Sequence, residues 1–221
     1  MVDPENAPKQ EFKVYEYNLP VTLEPTKTAL LVVDMQNDFI HPRGILCRYG
    51  LSVNGLDSFV KRVSNLIEVC QKKGLPVIAT RHIIRQDRRG KAAGGGLWVE
   101  MRPFLKTEGF RSGTWGAEII EGLPPPDFIV EKTRFSAFYE TGMERLLRDL
   151  RIEFIIFSGV ATNVCVESTI RDAFFRDFRI ITVEDCVTAY TQPAHEGSLH
   201  TLRFLGAVIS LDDFRNLLNI N

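Results

Sequence analysis

Three residues of the chain have the chemistry that nucleophilic catalysis needs, and each follows a short apolar run of the sequence. Cys165 can act as the nucleophile, Asp34 as a general base, and Lys132 as a cation that holds and stabilises anions. The carboxyl ends of parallel strands meet at one edge of a sheet, where open α/β folds bind their ligands. If the three apolar runs are neighbouring parallel strands, we expect these side chains to converge at that edge.

The stretch around Cys165 predicts a buried strand followed by a helix. Residues 154–157 are apolar and aromatic, a Ser-Gly pair ends this run, and Thr162 and Asn163 are suitable helix N-caps. Apolar residues then recur at helical spacing, at Val166, Ile170, Ala173 and Phe174. Cys165 is therefore expected in the first turn of a helix, where free N–H groups and the helix dipole lower the pKa of a thiol. The alternative is a small apolar residue packed beneath the helix.

Asp34 and Lys132 stand at the ends of two further predicted strands. Residues 28–33 form an unalternated apolar run, and Asp34 follows directly. A carboxylate at the tip of a buried strand is costly unless it is paired, so we favour a functional Asp34 over a capping residue. Residues 127–131 form another strand, and we expect the head of Lys132 near the same edge. The alternative for Lys132 is a solvated surface lysine.

The apolar patterns of the rest of the chain alternate between strands and helices. Further strands are predicted at residues 76–80, 179–183 and 207–209, and helices at residues 56–73, 141–150, 194–205 and 212–218. This alternation predicts an α/β fold of three layers, with about six parallel strands and helices on both faces. We expect a single domain over residues 27–221, preceded by an N-terminal arm over residues 1–26.

Residues 83–126 are the least regular part of the sequence and predict the wall or lid of a substrate pocket. We expect Trp98 to close over a small substrate, with Phe39 and Phe135 as further walls. His82, at the predicted exit of the second strand, is a candidate for orienting the substrate, although a polar loop residue is the alternative. Packing against a neighbouring subunit is the alternative interpretation of the tryptophan.

Composition excludes several classes of function. A net charge of −1 over 221 residues gives no basic surface for nucleic acid. No apolar run approaches the roughly 20 residues that cross a membrane, and the N-terminus lacks the pattern of a signal peptide. The four cysteines show neither Cys-x-x-Cys pairs nor zinc-ligand spacing. These features predict a reduced cytoplasmic protein that binds neither nucleic acid nor membranes.

Three motifs carry a resemblance to a known family. They are Leu-Leu-Val-Val followed by Asp34 to Phe39, Val-Glu followed by Lys132 to Phe138, and the run from Ser158 to Thr169. In this order they resemble the isochorismatase-like cysteine hydrolases, with a Rossmann-like fold, over roughly residues 27–210. The resemblance implies a catalytic triad of Asp34, Lys132 and Cys165. It also implies a cis peptide before Ala161, whose N–H would join that of Cys165 in an oxyanion hole.

The same resemblance narrows the expected chemistry. Members that act on isochorismate lack the cysteine, so Cys165 argues against cleavage of a vinyl ether. The run around Cys165 is similar to ureidoacrylate amidohydrolases, and Gly-Gly-Leu-Trp-Val-Glu near Trp98 is similar to N-carbamoylsarcosine amidase. Both cleave a carbamoyl or ureido C–N bond. The resemblance therefore implies an amidohydrolase of a small carbamoyl or ureido compound (ureidoacrylate, N-carbamoylsarcosine or a biuret-like amide), without cofactor or metal, that forms a homodimer or homotetramer.

Three alternative functions stay open. A nicotinamidase-like deamidase would carry a metal site built on an Asp-x-His pair, which this sequence does not contain. A family member that only binds a ligand would not turn over substrate despite an intact triad. A peroxide-sensing thiol would need a resolving cysteine, for which Cys186 is the candidate.

Overall fold

The computed structural model describes residues 23–218. The predicted N-terminal arm lies largely outside the described residues, because its first 22 residues are not described. Within residues 23–218, six strands form one parallel sheet and two short strands form an antiparallel pair. The strands are β1 (Thr28–Val33), β2 (Val77–His82), β3 (Arg85–Gln86), β4 (Ala92–Ala93), β5 (Phe128–Lys132), β6 (Phe154–Val160), β7 (Arg179–Thr188) and β8 (Ala207–Ile209).

Helices surround the sheet and complete the three layers. The order across the parallel sheet is β5-β2-β1-β6-β7-β8, so β1 and β6 lie at its centre. The helices are α1 (Asn37–Ile40), α2 (Ile45–Arg48), α3 (Leu56–Lys72), α4 (Gly96–Glu100), α5 (Met143–Asp149), α6 (Glu167–Phe174), α7 (Gln192–Leu205) and α8 (Leu211–Leu217). The predicted three-layer fold is confirmed. No helix within residues 23–218 combines the length and apolar character that crossing a bilayer requires.

The central strands are longer than the sequence pattern predicted. Strand β6 continues through the Ser-Gly pair to Val160, because parallel pairing with β7 extends to Val160 and Thr188. Strand β7 therefore contains Cys186 instead of ending before it. Strand β2 continues to His82, which pairs with Lys132 at the end of β5. His82 is thus a strand residue, so the alternative of a polar loop residue does not apply.

Gly159 allows β6 and β1 to approach each other closely at the edge of the sheet. Its φ of 108° is one that L side chains rarely adopt. A Cβ atom at this position would lie 2.0 Å from the carbonyl oxygen of Val33. The Ser-Gly pair is therefore a feature of the strand interior, where the sequence pattern indicated a strand end.

The segment that carries Cys165 is a π-helical turn, not the first turn of an α-helix. This turn spans Thr162–Val166 and runs directly into α6, and the N–H of Val166 bonds the carbonyl of Ala161 at 3.2 Å. Ala161 occupies the N-cap position, and no side chain caps the turn. The prediction of Thr162 or Asn163 as N-cap was therefore wrong. The Thr162 hydroxyl instead pairs with Nδ1 of His195 at 2.9 Å.

The irregular segment 83–126 is attached to the sheet through the residues that follow β1. Gln36 forms an antiparallel bridge with Ile119, and the side-chain amide of Asn37 donates to the carbonyl of Trp115 at 2.8 Å. Asp38 accepts hydrogen bonds from the N–H groups of Ile45 and Phe110. These bonds fix the segment beside the edge of the sheet where the strands end.

Candidate active site

Asp34, Lys132 and Cys165 meet at the edge of the sheet where β1, β5 and β6 end. The ammonium group of Lys132 donates to Oδ2 of Asp34 at 2.6 Å, and both side chains are fully buried. The thiol of Cys165, 1% exposed, interacts with both members of this ion pair. The structure therefore brings together the three residues that the motifs singled out.

The order of the strands explains how these side chains converge. Asp34 and the segment carrying Cys165 follow β1 and β6, which are direct neighbours in the sheet. Strand β5, which ends at Lys132, is separated from β1 by β2. The long side chain of Lys132 spans this distance, and its Nζ also donates to the carbonyl of Arg134 at 3.0 Å.

Thr80 on the intervening strand β2 orients the Asp34 carboxylate. Its hydroxyl donates to Oδ1 of Asp34 at 2.7 Å and accepts the N–H of Asp34 at 3.0 Å. Asp34 itself has a φ of 49°, a conformation uncommon for a residue other than glycine. Thr80 was not predicted as a site residue. Its only signal in the sequence is a hydroxyl residue at the end of the apolar run that opens β2.

Burial sets the resting protonation of the cysteine. Burial raises the pKa of the Cys165 thiol, and the nearby Asp34 carboxylate raises it further. The positive charge of Lys132 lowers this pKa, but by less, so the net pKa is raised. Burial also lowers the pKa of Lys132, but Asp34 and Cys165 outweigh this effect, so its net pKa is raised. The expectation of a lowered thiol pKa was therefore wrong. It considered the helix terminus and not the closed surroundings of the sulfur.

A cavity of about 490 Å³ opens onto Cys165. Phe39, Trp98 and Phe135 line it, as do Ala161 and Cys165 itself. Its surface is mostly apolar, which suits a small organic ligand. The peptide bond between Val160 and Ala161 is cis, as the resemblance implied. Three of the four residues expected to contact substrate thus share one cavity with the cysteine.

His82 lies outside this cavity. Its ring packs edge-on against Trp98, with ring centroids 4.7 Å apart, and against Phe110 at 5.6 Å. Burial and the charge of Lys132 lower its pKa well below the usual value, so the ring is neutral. His82 lines a second cavity, which shares Trp98 and Phe135 with the first. It packs against the aromatic wall and does not itself line the cavity at Cys165.

Two other residues, which the sequence pattern did not indicate, hold the cavity walls. The side chain of Gln36 accepts the N–H of His82 at 2.6 Å and donates to its carbonyl at 3.1 Å. Tyr190, a lining residue, donates its hydroxyl to the carbonyl of Phe39 at 3.2 Å. Both follow an apolar run, but nothing in the sequence shows which backbone groups they reach.

Two alternatives from the sequence, a nicotinamidase-type metal site and a resolving cysteine at Cys186, can be compared with the structure. Within residues 23–218, no group of three or more His, Cys, Asp or Glu side chains is placed to hold a metal ion. The ligand set of a nicotinamidase-type metal site is therefore not assembled in the described part of the chain. Cys186 is buried. The groups that act on its pKa include Asp185 and Arg62, but Asp34, Lys132 and Cys165 are not among them.

Comparison with known proteins identifies the family. The isochorismatase domain profile matches residues 28–213, and the chain belongs to the isochorismatase family. The ureidoacrylate amidohydrolase RutB of Agrobacterium fabrum is 31% identical over 209 residues, which cover 88% of this chain and 91% of that protein. A cysteine hydrolase from Pseudomonas syringae pv. phaseolicola matches with a TM-score of 0.78 at 28% identity, covering 91% of this chain and 98% of its own. N-carbamoylsarcosine amidase from Thermoplasma acidophilum matches with a TM-score of 0.66 at 29% identity, and the match covers 83% of this chain and 96% of that protein.

Proposed function

We propose that the protein is a cysteine-dependent amidohydrolase that cleaves a C–N bond of a small carbamoyl or ureido compound. The observation that carries this proposal is the Asp34–Lys132 ion pair beside Cys165, which lines a mostly apolar cavity. Nucleophile, base and cation are the parts that acyl transfer to a thiol requires. The names of the relatives, a ureidoacrylate amidohydrolase and an N-carbamoylsarcosine amidase, support the class of bond.

The first half of the reaction transfers the acyl group to the cysteine. Asp34 takes the proton of the Cys165 thiol while the sulfur attacks the carbonyl carbon of the substrate. Because burial keeps the resting thiol protonated, this proton transfer accompanies the attack instead of preceding it. Lys132 holds the carboxylate in place and balances its charge. The C–N bond then breaks, and the amine or ammonia leaves with the proton returned from Asp34.

The tetrahedral intermediate needs donors for its oxyanion. We propose the backbone N–H groups of Ala161 and Cys165, which both belong to residues that line the cavity. Water, activated by Asp34, then attacks the thioester-type intermediate and restores the thiol. The net reaction adds one water across the C–N bond and consumes no cofactor. Phe39, Trp98 and Phe135 shape the space for the substrate, and His82 acts through Trp98.

Release of ammonia from a panel of small amides tests this function. The panel contains 3-ureidoacrylate, N-carbamoylsarcosine, biuret and nicotinamide, assayed with wild type, Cys165→Ala and the control Cys186→Ala. We expect turnover of a carbamoyl or ureido compound by wild type and by the control, and loss of about 10³-fold or more in Cys165→Ala, whose fold is retained. A covalent adduct of substrate on Cys165, seen by mass spectrometry, is expected on rapid quenching.

The panel also separates the alternatives. Undiminished activity in folded Cys165→Ala would overturn the mechanism. Turnover of nicotinamide alone, with stoichiometric metal, would favour a deamidase. Silence of folded wild type across the panel would favour a family member that only binds its ligand. The homodimer or homotetramer and the cytoplasmic location stay predictions, and sedimentation of the 25.1 kDa chain measures the first.

A further inference from the structure

A guanidinium group lines the cavity that opens onto Cys165. Arg102 follows α4 and is half-buried beside the apolar wall. Within residues 23–218, its side chain makes neither an ion pair nor a hydrogen bond, and it contacts the face of Trp98 with the guanidinium carbon 6.0 Å from the ring centroid. Tyr190 also lines the cavity, and the charge of Arg102 acts on its phenol. Arg102 is therefore oriented by an aromatic ring while its donors stay available.

Several other arginines within residues 23–218 have donors that are already occupied. Arg48 bonds the carboxylate of Glu108 at 2.8 Å, and Arg176 bonds that of Glu144 at 2.8 Å. Arg111, which is buried, donates to the carbonyl of Leu105. A guanidinium has five N–H donors in a planar fork that matches a carboxylate. On a mostly apolar wall, such a group favours an anionic ligand that satisfies these donors.

The charges around the cavity lead to the same conclusion. Asp34 and Lys132 neutralise each other, and the thiol of Cys165 is protonated at rest. None of the lining residues, all within the described part of the chain, is Asp or Glu. The cavity therefore carries the positive charge of Arg102 without a compensating anion. Such a cavity attracts anionic substrates and has nothing to repel them.

We propose that Arg102 binds a carboxylate of the substrate, so that the substrate class is carbamoyl or ureido acids and not neutral amides. This proposal rests on the proposed amidohydrolase function and specifies its substrate. The carbamoyl group lies at Cys165 and Ala161, and the carboxylate lies at Arg102. Met101, adjacent in the chain, is 73% exposed, which places the carboxylate end of the substrate toward the mouth of the cavity. A substrate of this kind is bound at both ends.

The experiment compares an acid with its neutral counterpart. N-carbamoylglycine and 2-hydroxyethylurea differ in a carboxylate and a hydroxymethyl group, and 3-ureidoacrylate is a second acid. We expect Arg102→Ala to lower kcat/KM for the acids by about 10- to 100-fold, mainly through KM, because a charged hydrogen-bonding pair is lost. Activity on 2-hydroxyethylurea should change less than about twofold. Arg102→Lys should restore part of the loss, since it keeps the charge without the planar fork.

Arg43→Ala is the matched control. Arg43 also lies over a tryptophan, with its guanidinium carbon 4.8 Å from the ring centroid of Trp115, but it does not line the cavity. We expect this variant to keep the preference for acids. Equal losses on acid and neutral compounds in Arg102→Ala, or a wild-type preference for 2-hydroxyethylurea, would overturn the role of Arg102.

A binding measurement separates this proposal from the proposed function. Calorimetry with Cys165→Ala, which cannot form the covalent intermediate, reports affinity for N-carbamoylglycine without turnover. Affinity that falls when Arg102→Ala is added supports the carboxylate site even if wild type proves inactive. Affinity that does not depend on Arg102 overturns the site even if wild type hydrolyses these compounds.

Discussion

The Asp34 carboxylate is held by donors from two different strands, and this arrangement determines where it can act. Lys132 bonds Oδ2 from the end of β5, and Thr80 bonds Oδ1 from β2. With both oxygens oriented, the carboxylate is fixed next to the sulfur of Cys165 without any rotation of its own. A general base must lie within hydrogen-bond reach of the proton that it takes, so these donors matter for the rate as well as for stability.

Removing the hydroxyl of Thr80 tests this role. We expect Thr80→Val to lower the free energy of unfolding by about 1–3 kcal/mol, because a buried carboxylate loses a donor. It should also lower kcat by about 10-fold or more, with little effect on KM. Urea denaturation and steady-state kinetics measure the two effects.

Thr182→Val is the matched control for this prediction. Thr182 is equally buried in a strand, but its hydroxyl has no hydrogen-bond partner among the described residues. The same substitution there should leave kcat unchanged and stability equal or higher. Equal effects of the two substitutions would show that Thr80 acts only through packing.

Single residues also show what the sequence can and cannot predict. Cys165, Asp34 and Lys132 were recognisable because each is a reactive type placed just after an apolar run. The raised pKa of Cys165 was not predictable, because it depends on how completely the folded chain buries the sulfur. Arg102 was missed for a related reason. An arginine in an irregular segment looks like any surface arginine until the folded chain shows what it lines.

At the scale of elements, interior apolar runs gave reliable predictions and element ends did not. Strand β1 and helix α3 were predicted within one residue, because a continuous apolar run and a helical stripe each have a clear period. The ends of β2 and β6 were wrong because pairing with neighbouring strands carries them past polar residues. A parallel ladder depends on a partner that is distant in sequence, so the local pattern does not contain this information.

At Gly159 the pairing of β6 with β1 leaves no room for a side chain and requires a positive φ. We expect Gly159→Ala to lower the free energy of unfolding by about 3 kcal/mol or more, because overpacking and an unfavourable positive φ each cost about 1–3 kcal/mol. The added methyl group would push β6 away from Val33 and shift the segment that carries Cys165. Activity should therefore fall in the fraction that stays folded.

Gly197→Ala provides the control for Gly159. Gly197 is exposed within α7, and a Cβ there would meet no atom within 4 Å. Alanine is the better helix former, so this change should stabilise the protein by about 0.5–1 kcal/mol. Thermal unfolding compares the two variants. A Gly159→Ala protein as stable as wild type would mean that the two strands can separate at no cost.

At the scale of the whole molecule, ion pairs differ sharply in where they lie. The pairs between surface side chains, such as Arg48 with Glu108, are well exposed and each contribute about 0–1 kcal/mol. The pair between Lys132 and Asp34 is fully buried. Taking two charges out of water costs several kcal/mol, and their attraction does not always repay it. This pair is therefore better explained by chemistry than by stability.

A double-mutant cycle on this pair separates the two explanations. Lys132→Met leaves the Asp34 carboxylate buried without its cation, and Asp34→Asn leaves the ammonium group without its anion. Each single variant should lose about 3–5 kcal/mol of stability, because an uncompensated charge stays in the interior. The double variant should recover most of this loss, since an amide beside a thioether buries no charge.

Activity should respond in a different way from stability. The double variant lacks the carboxylate that takes the thiol proton and also the cation that holds this carboxylate in place. We therefore expect no turnover above background despite near wild-type unfolding in urea. A double variant that stays as unstable as either single variant would mean that the pair is a net stabilising element of the fold. Recovery of stability without recovery of activity would mean that the protein keeps these two buried charges because the reaction at Cys165 requires them.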